Sequence, residues 1–184
     1  MDFKQLIESA FNLTLEKIVP LILLTLLLIV ISALSFGLLA PVASAGYMHA
    51  IILMVREGRE PRLQDIFSQM NLFLPLLGFG FLAAAVILLG YMLLILPGLI
   101  LACLITYTCL YLLPLMTDKK LPLVDAVKES YRMTTTGSLT DNIIVAILFI
   151  GVVTIGGSTL IGTLLTQPFA TVFIAAVYEE KIRQ

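Results

Sequence analysis

The sequence predicts an all-α integral membrane bundle of six transmembrane helices, folded as three hairpins, with amphipathic interfacial helices on the cytoplasmic side. Three observations carry this expectation. Hydrophobic residues make up 60% of the 184-residue chain and charged residues only 12%, whereas a soluble domain holds about 45–50% apolar and about 25% charged residues. The charges gather into four clusters, Asp2 to Lys17, Arg56 to Asp65, Asp118 to Asp141 and Glu179 to Arg183, separated by uncharged blocks of 38, 52 and 37 residues. One crossing of the hydrocarbon core takes about 20 residues, so each block is long enough for two. Finally, every Lys and Arg falls in the loops that share one side of a six-span arrangement, which the positive-inside rule makes the cytoplasmic side.

The elements follow in chain order. Phe3, Leu6, Ile7, Ala10 and Phe11 recur at helical spacing opposite Lys4, Gln5, Glu8, Ser9 and Asn12, the pattern of an amphipathic helix at a surface. The first hairpin spans residues 18–38 and 41–56, with Gly37 and Pro41 at its tip. Pro61 then opens a second amphipathic stretch, with Leu63, Ile66, Phe67 and Met70 on one face. The second hairpin covers 72–94 and 97–116, broken near Gly90 and Pro97-Gly98. Pro122 begins a third amphipathic stretch, in which Val124, Val127 and Tyr131 oppose Asp125, Lys128, Glu129 and Arg132. Spans 142–159 and 162–178 close the series around Gly156-Gly157-Ser158. The whole chain, 1–184, reads as one polytopic membrane domain, in which 1–56, 61–116 and 121–178 form three parallel units of interfacial helix, span out and span back.

Both termini are expected in the cytoplasm. The Ala43-Ser44-Ala45 triplet looks like a signal-peptidase site, but the apolar run before it is far longer than a signal peptide's 7–15-residue core. A tight, closely packed hairpin explains those small residues better. Tyr91, Tyr107, Tyr111 and Tyr178 are candidate interfacial anchors, Tyr107 being deep enough to be core instead. Cys103 and Cys109 do not share a helix face and are expected as unpaired thiols.

The composition argues against most chemistries. A formal charge of −1 offers nucleic acid no field. With a single His and two Cys, the chain holds no zinc cage and no disulfide framework. No Asp or Glu lies inside an uncharged block, which leaves intramembrane acid–base catalysis and proton-coupled transport without their carboxylates. A Ser–His pair of His49 with Ser32, Ser35, Ser44 or Ser158 is formally available, yet there is no Gly-x-Ser-x-Gly elbow or orienting carboxylate. No catalytic, metal or cofactor residues are therefore assigned. His49, seven residues before Arg56 and so about 10 Å deep at 1.5 Å per residue, and Gln167, beside Pro168, are the candidates for contact with a solute or partner.

Several short stretches carry a family resemblance. Gly46-Tyr47 precedes an apolar helix that ends in Arg56-Glu57-Gly58-Arg59-Glu60-Pro61 and then Asp65-Ile66-Phe67. Leu96-Pro97-Gly98, Asp125-Ala126-Val127-Lys128-Glu129-Ser130, and Pro168-Phe169 with Ala175-Ala176-Val177-Tyr178 follow. Over roughly residues 37–180 this resembles the YciC-like group of uncharacterised bacterial polytopic membrane proteins, similar to the membrane domain attached to some glycerophosphoryl diester phosphodiesterases. The chain departs from that pattern at Tyr131-Arg132 and in having no Trp. The resemblance implies a stand-alone membrane domain in a bacterial or archaeal inner (cytoplasmic) membrane, with no catalytic residues to carry over. The expected function is a non-enzymatic scaffold or adaptor acting through lipids, a second copy of the chain or another envelope protein. The alternative is a small transporter or exporter of an uncharged or amphiphilic solute.

Overall fold

A computed structural model describes residues 3–136 and 138–183, and Asp2 of the first charged cluster lies outside them. Among the described residues the chain is helical, without strands. Helix α1 (Phe3–Glu16) presents its apolar face to the bundle and turns through 85° into α2 (Ile18–Leu34). The chain reverses through Phe36 and Gly37, both at positive φ, into α3 (Ala40–Glu57). Gly58, at φ 69°, ends α3 with a left-handed cap whose N–H bonds the Met54 carbonyl, a conformation that a Cβ would strain. Helices α4 (Phe73–Leu93) and α5 (Ile95–Thr108) meet at one extended residue, Leu94. A break at 109–111 leads to α6 (Leu112–Thr117), and then come α7 (Leu123–Thr135), α8 (Leu139–Gly157) and α9 (Leu160–Arg183).

One expectation is met only in part, and another is corrected. Four helical segments among the described residues, Leu63–Met92, Ile95–Thr117, Thr140–Gly157 and Leu160–Arg183, are long and apolar enough to cross a membrane, with a fifth if the bent α1–α2 pair is one span. The sequence predicted six. Helix α2 is apolar but has only 17 residues, about 26 Å at 1.5 Å per residue, and α3 is diluted by Ser44, Tyr47 and His49. The correction is the stretch after Pro61, which forms two short 3₁₀ segments, Leu63–Phe67 and Met70–Leu72, rather than an α-helix. Asp65 tightens the first, since its carboxylate accepts both the Arg62 backbone N–H at 2.9 Å and the Arg59 guanidinium at 2.6 Å.

Helix α3 is the centre of the molecule. It packs on α2, α4, α6, α9 and the 63–67 segment, and ten of its 18 residues are buried. At Gly46 the backbone of the 63–67 segment comes so close that a Cβ would collide with the Ile66 carbonyl. Helix α9 runs unbroken through Pro168 and packs on α8, α1, α3 and α2. The α4–α5 hairpin stands outside this core; among the described side chains of α4 only Leu76 and Gly90 are buried.

Candidate functional site

The C-terminal ends of α3, α6 and α9 come together at a polar hub. Arg56, at the end of α3, donates from Nη1 and Nη2 to the two carboxylate oxygens of Asp118 at 2.6 and 2.8 Å, a planar two-pronged pair. Its Nε and Nη2 also donate to Oε1 of Glu179 at 2.9 and 2.6 Å. The Tyr178 hydroxyl donates to Asp118 Oδ2 at 3.0 Å. One guanidinium thus serves two carboxylates, and it holds Asp118 below the usual carboxylate range, with the Tyr178 hydroxyl acting in the same direction. From the sequence, Arg56 marks sidedness, Asp118 and Glu179 only bound charged clusters, and Tyr178 is a candidate interfacial anchor.

Beside the hub, the end of α7 is held by side chains from other helices. Lys181 donates to the Met133 carbonyl at 2.7 Å and to Asn142 Oδ1, and its ammonium stands 5.0 Å from the centre of the Tyr111 ring. Asn142 Nδ2 and the Tyr107 hydroxyl donate to the Thr134 carbonyl at 2.8 and 2.7 Å. These bonds satisfy carbonyls that a helix end otherwise leaves open. Ser130 of α7 does the same for the break at 109–111: its hydroxyl donates to the Thr108 carbonyl at 2.7 Å and accepts the Tyr111 N–H at 3.2 Å. Tyr111 and Tyr178 are fully buried, so neither is the lipid-facing anchor that the sequence proposed.

Next to the hub lies a cavity of about 250 Å³ between α3, the α5–α6 segment, α8 and α9. Helix α3 contributes Ser44, Tyr47 and Met48, and α9 contributes Gln167, Thr171 and Ile174. The α5–α6 segment lines it from Ile105 to Leu113, and Phe149 of α8 completes it. No charged side chain lines this cavity. Most of its polar atoms are already occupied. The Tyr47 hydroxyl pairs with Thr25 at 2.8 Å, and the Thr106 and Thr171 hydroxyls bond the carbonyls of Ala102 and Gln167 one turn back. Among the described residues, the side chains of Ser44 and Gln167 have no hydrogen-bond partner. A cavity with those two open groups accepts a neutral molecule carrying one donor or acceptor, and it penalises a charge by the desolvation of the unpaired ion.

The two sequence candidates separate here. Gln167 lines the cavity, whereas His49 does not; His49 is half-buried, with Nδ1 enclosed and unpartnered among the described residues. Ser44, read first as part of a cleavage-like triplet, and Cys109, read as a thiol packed among Leu residues, both face the cavity. A sequence signal exists for the hub, whose residues recur near 60 positions: Arg56 and Asp118 are 62 apart, and Arg56 and Glu179 are 123 apart. Among the described residues no three His, Cys, Asp or Glu side chains stand together to hold a metal ion. No family model, curated protein or solved structure matches the chain.

Proposed function

We propose that the chain is a six-span inner-membrane protein that takes a small uncharged or amphiphilic solute into the cavity between its return helices, as a carrier or exporter without catalytic activity. The observation that carries this reading is the pairing of an uncharged lining with two unengaged polar groups, Ser44 and Gln167, on different helices. Six spans fit the same picture. Helix α3 covers about 27 Å at 1.5 Å per residue, and its polar residues face protein at the bundle centre instead of lipid, so it tolerates a lower apolar content than its neighbours. With α2 and α3 counted as spans, the hub and every Lys and Arg lie on the cytoplasmic side, as do both termini. The amphipathic α1 and α7 then lie at the headgroup level, and the three units of the sequence meet through equivalent helices. This reading keeps the resemblance to the YciC-like membrane proteins as its family setting.

Purification in native-lipid discs tests the function. Wild-type protein is expected to retain a neutral small molecule, identified by mass spectrometry, that Ser44→Ala/Gln167→Leu loses at unchanged thermal stability. Equal retention by both proteins would refute the cavity as the binding site. Topology is tested by a Cys placed at residue 58 or 120, which should be labelled only from the cytoplasmic side. A scaffold or adaptor role is the second reading, favoured by the exposed apolar surface of the α4–α5 hairpin; it predicts a co-purifying protein or second copy whose loss follows substitutions on that hairpin.

A further inference from the structure

We infer that the cavity is filled sideways from the bilayer, so that its ligand is a lipid-phase neutral amphiphile with a hydroxyl- or amide-like head, rather than a solute arriving from water. This rests on the proposed solute-binding role and specifies its route and ligand class.

The cavity has one weak wall. Helices α8 and α9 pack along their length, and α3 is closed in by α6 and α9, but α5 and α8 barely touch. Ile105, Thr106 and Phe149 flank that seam, and each is only half-buried while also lining the cavity. The cytoplasmic route is blocked. Between the cavity and the hub lie Ile51 of α3, Leu115 of α6 and Tyr178 of α9, all with no exposed surface. Below them the Arg56 guanidinium ties the three helix ends together. At the opposite end the hairpin tips expose mainly apolar side chains, Phe36, Leu94, Ile95 and Ile161, and the exposed Ser158 and Thr159 hydroxyls bond the backbone of their own turn. A molecule dissolved in the bilayer meets the seam directly. Its head reaches Ser44 and Gln167, and its tail remains between α5 and α8 in contact with lipid.

The chain contains no Trp, so a single introduced indole reports on the cavity without background. Met48→Trp places one on the α3 wall, and Cys109→Trp serves as a second position should the first fail to fold. In lipid discs, a terminally brominated dodecanol should quench this fluorescence saturably, with competition by plain dodecanol, while acrylamide in the water does not. Gln167→Leu should weaken the apparent affinity about 5-fold, the loss of roughly one hydrogen bond. Ile105→Trp is avoided as a reporter because it faces the seam itself. Quenching by acrylamide would overturn the lateral route while leaving a solute-binding cavity. Quenching by the bromoalcohol that never saturates would mean bulk lipid contact and overturn the site. Quenching by neither would overturn the solute-binding reading as well.

Discussion

Helices α3 and α4 differ by only three residues in length, 18 against 21, yet they occupy opposite environments. The more polar helix, α3, is at the centre, and the almost wholly apolar α4 is at the periphery. A soluble fold would place them the other way round. In a bilayer, contact with lipid costs an apolar helix nothing, whereas Tyr47, Ser44 and His49 are better placed against other helices, where small residues also allow close packing. Apolar content therefore marks the outside of this molecule, and polarity with small side chains marks its inside.

The comparison is broken most severely at glycine. Gly46→Ala drives a methyl group into the Ile66 backbone carbonyl, while Gly78 of α4 has nothing within 4 Å of the equivalent position. Unfolding measured in mild detergent should show a loss of about 3 kcal/mol or more for Gly46→Ala, the size of a severe overpacking. Gly78→Ala should stay within about 1 kcal/mol of wild type. Next in size is truncation of an aliphatic side chain. Ile51→Ala leaves a cavity in the centre and should cost about 2–4 kcal/mol, but Leu88→Ala on the open face of α4 should change stability by less than about 0.5 kcal/mol. A comparable loss at Leu88 would mean that another protein covers α4.

The smallest effect concerns acid. Arg56 holds Asp118 below the usual carboxylate range, so the folded chain binds that proton less readily than the unfolded chain. The stabilisation is complete above the unfolded carboxylate value of about 3.9 and is lost as pH falls through the lower folded value. A thermal midpoint that drops below about pH 4 in wild type should drop less in Asp118→Asn, which in turn is less stable at neutral pH. Substitutions on α4, which carries no charge, should leave the acid limb unchanged.

Much of the fold was legible because charge in a lipid-facing chain is confined to its ends. The first and third amphipathic stretches became α1 and α7, and the breakers at Gly37 and Gly157 fell at real reversals. The 63–67 segment was misread because its apolar spacing of three suits a 3₁₀ turn as well as an α-helix, and the Asp65 bonds decide between them. The break at 109–111 depends on Ser130, some 20 residues away, and leaves no local trace. Within the site, Gln167 stood out as a lone amide in an apolar helix. Ser44 did not, because a small residue near a hairpin tip has an adequate packing explanation.

The hub also orders biogenesis in time. Glu179 lies 123 residues after Arg56 and is synthesised after Asp118, so the two-pronged pair between α3 and the end of α6 can form first. Glu179 can then dock only on a pair already aligned, and its arrival brings α9 against α3 and completes the cavity wall that carries Gln167. Without Asp118 in place, Arg56 keeps its charge but loses the two-pronged carboxylate that orients it, and Glu179 meets a guanidinium whose plane is not fixed. Alignment of α3 with α6 in this way prepares the closing of α9 onto both.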